Sequence, residues 1–255
     1  MYLETPDANI LIDAGLSGIR IEKALESIGS HPTKLDAIFI THEHSDHISG
    51  AGIMARRFGI KLFATAGTWE NVEKSGTLGK LRPEQKNIIN AGGDFTFRDI
   101  LVRPFSISHD AASPVGFSFY HHTAKITVAT DLGYINDDVV KNIADSDILL
   151  IESNHDVEML KNGRYPYHLK RRILGQKGHL SNVSCGQVLT DLAVGLKHIY
   201  LGHLSEENNE PMLAFETVRG ILETGRVPVN SPCGSGVRLY LADRHLASKY
   251  IRIVV

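Results

Sequence analysis

One heptapeptide constrains this chain more than any other part of it: Thr41-His42-Glu43-His44-Ser45-Asp46-His47. It follows the wholly apolar run Ala37-Ile38-Phe39-Ile40, which reads as a short buried strand, and leads into a predicted helix over 46–58 that Gly59 stops. In extended backbone, side chains two apart point the same way, so His42 and His44 can face one cavity. The turn into the helix can bring Asp46 and His47 to the other side of it. Such nitrogen and oxygen donors suit a borderline divalent ion such as zinc or manganese. The alternative is a solvated loop with chance histidines. It fares poorly, because only 13 of 255 residues are histidine and three of them fall here.

Strands and helices alternate around this motif. Strands are predicted over 9–12 and 60–64, and helices over 19–28, ending at Gly29, and 68–74. After a polar stretch over 76–93 come strand candidates at 94–97, 100–107, 115–120 and 125–130, spaced for antiparallel pairing. A helix over 137–143, a buried strand over 148–151 and a helix over 182–192 capped by Ser181 follow. The remainder reads as strand 198–201, helix 211–223 and terminal strands 237–241 and 250–254. Neither a linker nor a short repeat is visible, so a single domain over 1–255 is expected, its sheets covered by helices.

Composition narrows the class. Apolar residues make up 42% and charged residues 22%, and no apolar run reaches the ~20 residues of a membrane span. No secretory leader is visible, and Cys185 and Cys233 are too few for a disulfide framework, so a reducing cytoplasmic setting is expected. A net charge of −2 excludes a protein basic over its whole surface but not one with a basic patch.

The pattern His-x-His-x-Asp-His after an apolar strand resembles the signature of the metallo-β-lactamase superfamily. That resemblance implies an α+β fold, an αββα four-layer sandwich with a dinuclear metal site. It also implies further ligands at strand ends, and His109, Asp131 and His203 stand at such positions. Carried over, the family pattern gives His42, His44 and His109 to one ion, Asp46, His47 and His203 to the second, and Asp131 to both. Two divalent ions, zinc or manganese with iron as a further option, would polarise the substrate oxygen and acidify a shared water. Asp13, in Leu11-Ile12-Asp13-Ala14-Gly15, matches a family position expected to fix the loops by hydrogen bonds rather than to bind metal. His31, His121, His122, His198 and His245 lack a ligand context and are read as structural or exposed.

The superfamily hosts many reactions. A bridging Asp131 argues against a true β-lactamase, and His44, where flavodiiron-type members carry a carboxylate, favours hydrolysis over redox work. In tRNA-processing members a strand-end glutamate and a histidine before a helix assist the leaving group. Glu152 and His179 occupy similar contexts, and Asp46, Glu152 and His179 make up the expected catalytic set. The plainer role for His179 is to support the cap at Ser181. Residues 161–177 carry Lys161, Arg164, Lys170, Arg171, Arg172 and Lys177 with no acid, so the rest of the chain bears −8 against −2 overall. Such a segment can be an ordinary solvated face, or it can hold a polyanion, with Lys170, Arg171 and Arg172 on phosphates. Tyr165, Tyr167 and His168, interleaved with the cations, can stack on bases.

Longer stretches are more specific. Glu152-Ser153-Asn154-His155-Asp156, Gly178-His179-Leu180-Ser181-Asn182, Thr68-Trp69-Glu70 and His109-Asp110-Ala111-Ala112 resemble the YycJ/WalJ-like branch of bacterial proteins. That branch implies an exonuclease on double-stranded DNA. Members open with a strand and a Ser-Gly-Ser-Ser-Gly-Asn-like turn before the segment matching Tyr2-Leu3, and that strand and turn are expected to be absent from this sequence. His155 is open between a phosphate contact, a partner of a ligand and a local structural bond. Rival readings are an RNA-directed or small cyclic phosphodiesterase, a glyoxalase II-like thioesterase on the same site, and a non-catalytic nucleic-acid or signalling partner. No membrane partner is expected, and the oligomeric state is left open.

Overall fold

The computed structural model describes residues 1–231, 234–244, 246–248 and 250–254, so Cys233 and His245 lie outside the described residues. The chain groups into two compact units: Met1–Ser106 with Ala111–His121 and Arg244–Lys249, and Ile107–Asp110 with His122–Asp243 and Tyr250–Val255.

In the first unit, β1 (Tyr2–Glu4) pairs antiparallel with β2 (Asn9–Ile12). β3 (Ala37–Phe39), β4 (Lys61–Thr65) and β5 (Lys86–Ile89) then add in parallel, in sequence order. β3 is apolar throughout because both of its faces are covered. Ile38 and Ile40 pack with Ile21 and Leu25 of α1 (Gly18–Ser27), Met54 of α3 (Ala51–Phe58) and Trp69 and Val72 of α4 (Ala66–Ser75). Phe39 points the other way, onto Phe63 at 4.8 Å between ring centroids. It also meets Phe95 and Phe97 of β6 (Phe95–Phe97) and Phe117 and Phe119 of β8 (Val115–His121). Between β6 and β8 runs β7 (Ile100–Ser106), antiparallel to each.

In the second unit four parallel strands lie in the order β12 (Arg238–Leu241), β11 (His198–Gly202), β10 (Ile148–Glu152), β9 (Ala124–Ala129). Its helices are α5 (Asp137–Ile143), α6 (Val157–Asn162), α7 (Tyr167–Ile173), α8 (Asn182–Leu192) and α9 (Pro211–Thr224). Leu149, Ile151, Ile199, Leu201, Leu189, Val218 and Leu222 are fully buried.

Three expectations change. The predicted helix over 46–58 is two, α2 (Ser45–Ile48) and α3. The Gly50 N–H bonds to the Ala14 carbonyl at 2.8 Å, and a Cβ there would lie 2.2 Å from the Leu16 oxygen, so the chain breaks where another loop presses against it. β5 sits inside the stretch read as polar loop, because an edge strand with one neighbour tolerates polar residues. Residues 250–254 form no strand and are half-buried or exposed.

Candidate metal centre

Within each unit, most of these residues stand at the carboxyl ends of parallel strands, where connecting loops leave a sheet and backbone direction is free to vary. Asp13 follows β2, Asp131 follows β9 and His203 follows β11. All three take left-handed backbone, at φ 58°, 60° and 54°. Non-glycine residues adopt that region seldom, Asp and His more readily than most.

In the first unit the motif loop hangs on Asp13. Its Oδ1 accepts the Thr41 N–H at 2.8 Å, and its Oδ2 accepts the Thr41 hydroxyl at 2.8 Å and His47 Nδ1–H at 2.7 Å. Burial opposes ionisation of Asp13, but His47, the Thr41 N–H and His42 outweigh it and hold its pKa below the usual carboxylate range. With Nδ1 donating to Asp13, His47 carries its lone pair on Nε2, 3.6 Å from Asp46 Oδ2. His42 Nε2 lies 2.9 Å from His44 Nδ1, and the ring of His42 is centred 4.5 Å from His44 and 4.1 Å from His47. Glu43, between the two histidines, accepts Asn71 Nδ2–H and the Ala112 N–H, both at 2.8 Å, and the Thr68 hydroxyl at 3.3 Å. It anchors the loop to α4. The sequence pattern gives Glu43 no role of its own, although a carboxylate wedged between two motif histidines is the signal that marks it.

In the second unit His109 Nδ1 faces the Gly178 carbonyl at 3.3 Å. A carbonyl only accepts, so that nitrogen carries the proton and Nε2 holds the lone pair. Burial lowers the pKa of His109 despite Asp131, which favours this neutral form. His203 Nδ1 donates to Glu152 Oε1 at 2.7 Å. The Nε2 atoms of His109 and His203 each lie 3.5 Å from Asp131 Oδ1. Two lone-pair nitrogens aimed at one carboxylate oxygen repel it unless a cation lies between. Bonds of about 2.1 Å at a tetrahedral ion place neighbouring donors ~3.4 Å apart. Donor set and spacing therefore fit a divalent ion.

Glu152 is wholly buried. Burial opposes its charge, but His179 and His203 hold its pKa far below normal. His179 Nδ1 donates to Glu152 Oε1 at 2.7 Å. Desolvation pulls His179 toward the neutral form, and Glu152 overcomes this and raises its pKa. Ligand-type atoms of Asp131, Glu152, His179 and His203 all lie within 4.8 Å of one another.

His155 is 1% exposed, away from direct solvent contact, and neither ring nitrogen has a hydrogen-bond partner among the described residues. Asn154 Nδ2 donates to the His203 carbonyl at 2.9 Å, and Asn209 Nδ2 to the carbonyls of Ser153 and Asn154 at 2.9 and 3.0 Å. These asparagines pin the loops at Ser153 and His203; Asn154 lies in the stretch 152–156 quoted for the resemblance, whereas Asn209 carried no sequence signal. In the basic segment, Lys170 Nζ donates to the carbonyls of Lys161 and Gly163, both at 2.7 Å, and Arg172 Nε bonds Asp110 beside His109. Arg171 is exposed, its guanidinium 5.8 Å from the Tyr167 ring centre. The other histidines have local duties: His31 caps a short turn at Thr33, His121 pairs with Asp99 at 3.2 Å and His198 meets the Tyr240 hydroxyl at 3.2 Å.

A beta-lactamase superfamily domain matches residues 8–203. The chain is 45% identical over 218 residues to exodeoxyribonuclease WalJ of Streptococcus pneumoniae serotype 2 (strain D39), covering 85% of this chain and 81% of that one. It is 40% identical over 224 residues to exodeoxyribonuclease YycJ of Bacillus anthracis, covering 88% and 84%. The chain belongs to the metallo-β-lactamase superfamily, in its YycJ/WalJ-like branch. The fold agrees: zinc-bound PqqB from Methylobacterium extorquens superposes with a TM-score of 0.69 at 15% identity, covering 98% of this chain and 86% of that one. As a member of the superfamily, with its histidines and carboxylates grouped for divalent ions, the chain is a metal-dependent hydrolase. No helix among the described residues is long and apolar enough to cross a membrane.

Proposed function

We propose that this chain hydrolyses phosphodiester bonds in nucleic acid and acts as an exonuclease on double-stranded DNA. One observation carries the reaction type: His179, on Glu152 at 2.7 Å with its pKa raised, is a proton donor beside the metal-type donors Asp131 and His203. Breaking a phosphodiester expels a strongly basic alkoxide, which leaves far more readily when protonated. The resemblance to WalJ and YycJ supports DNA as substrate.

Two divalent ions are proposed, zinc or manganese with iron as a further option. His42, His44 and His109 would hold one and Asp46, His47 and His203 the other, with Asp131 shared. Bound there, they would supply the positive charge that draws electrons from the phosphoryl group and acidifies the attacking water. His179 gives the Nε2 proton to the departing oxygen, and Asp13 keeps His47 oriented. Lys170, Arg171 and Arg172 are the proposed phosphate contacts. Arg171 is the most available of them, since Lys170 and Arg172 are already engaged within the protein.

Turnover by zinc- or manganese-loaded protein tests this on end-labelled duplex DNA with free or blocked ends, structured RNA, bis(p-nitrophenyl) phosphate and S-lactoylglutathione. Release of nucleotides from free ends alone is expected. Preference for RNA or for the thioester would transfer the site to those reactions, and no cleavage of any phosphodiester would remove the proposal.

A further inference from the structure

Glu152 has more partners than the support of a proton donor requires. It ends β10, and its carboxylate accepts four hydrogen bonds. Oε2 takes the backbone N–H of Leu132 at 2.8 Å and of Leu180 at 3.0 Å. Oε1 takes Nδ1–H of His179 and of His203, each at 2.7 Å. A carboxylate offers about four lone-pair positions, so these donors saturate it. Leu132 follows Asp131 and Leu180 follows His179. One side chain thus grips the loops of a carboxylate donor, a proton donor and an imidazole donor.

We propose that Glu152 is a positioning residue shared between proton transfer and metal binding: a buried, hydrogen-bond-saturated anchor that holds His179 and His203 with Nδ1–H toward itself, so that both present Nε2 outward. For His179 this deepens the nuclease reading and rests on it; for His203 it concerns metal binding alone. Saturated and wholly buried, Glu152 does not carry the proton itself. It determines which nitrogen of each ring is the working one. His203 shows the consequence, because its Nε2 faces Asp131 Oδ1 at 3.5 Å. In the opposite tautomer, Nε2 would carry a proton and be closed to an ion. A glutamine cannot substitute, since its amide would turn N–H groups either on the two imidazole N–H groups or on the two backbone ones.

Two measurements test this. In the full-length metal-free chain with 15N-labelled histidine, at a pH where both rings are neutral, long-range proton–nitrogen correlation reads each tautomer. Nδ1–H is expected for both His179 and His203, against the Nε2–H preference of free histidine, and Nε2–H on either ring overturns the proposal. Competition with a fluorescent chelator then reads zinc affinity. Glu152→Gln is expected to weaken zinc binding by ~10–100-fold, the usual effect of losing a ligand's hydrogen-bond partner. His179→Ala is expected to keep the zinc affinity of the unsubstituted chain. Unchanged zinc affinity in Glu152→Gln would assign Glu152 to His179 alone. If that variant does not fold, the tautomers of the unsubstituted chain decide the matter. Neither readout uses nucleic acid, so failure here is distinct from failure of the nuclease reading, which would appear as DNA left uncut.

Discussion

His155 shows how a single buried residue couples this fold to acid. Burial lowers its pKa to about 4, against the opposing pull of Glu152. In the unfolded chain a histidine titrates near 6.5, so below that pH the unfolded state takes up a proton that the folded state refuses. Stability from this residue therefore falls as pH drops from about 6.5 toward 4, by on the order of 2 kcal/mol between pH 7 and 5. Urea unfolding of the unsubstituted chain and His155→Leu at both pH values checks this. The variant should lose less stability over that interval, whatever its stability at pH 7, and parallel losses would show that His155 is not the acid-sensitive group. Histidine spacing could mark His155 as a candidate. Its burial depends on β10 and on the 178–182 loop, whose Asn182 N–H bonds the His155 carbonyl at 2.9 Å.

At the scale of elements, α7 divides its charges between structure and surface. Lys170 bridges back to the carbonyls of Lys161 and Gly163 at the end of α6, a helix terminus whose carbonyls lack intrahelical donors. Arg171 points away. Lys170→Ala should cost about 1 kcal/mol of stability, the worth of ordinary hydrogen bonds to backbone. Arg171→Ala should leave stability alone, weaken duplex binding and reduce the salt slope by about 0.9 for each phosphate that the arginine neutralises. Denaturant midpoints and anisotropy titrations over a salt series measure the two effects. An unchanged slope for Arg171→Ala would make α7 a plain solvated face. The run of cations was legible from 161–177, but not that Lys161, Lys170 and Arg172 are already engaged within the protein. The Arg172 partner, Asp110, is 62 residues away, beyond any local pattern.

For the whole molecule, bound ions should act as ligands of the folded state only, because their donors come from loops far apart in sequence. An ion present at 100 times its dissociation constant adds about 2.7 kcal/mol. In a chain of this size that corresponds to ~5–10 °C in Tm. Thermal unfolding with chelator, and after zinc or manganese is returned, should show that drop and its reversal; an unchanged Tm would mean that folding and metal binding are not linked. The sequence alone determined the strand before the histidine motif, the donors within it and the strand-end positions of Asp131, Glu152 and His203. Short-range periodicity gives the strands and the clustered imidazoles mark the motif, while the family resemblance singled out Asp131, Glu152 and His203. Tertiary structure decided the hydrogen bonds that make donors usable: Asp13 on His47 across 34 residues, and Glu152 on His179 across 27 and on His203 across 51. Strand pairing and loop closure bring such groups together, and no spacing rule along the chain encodes which atom meets which.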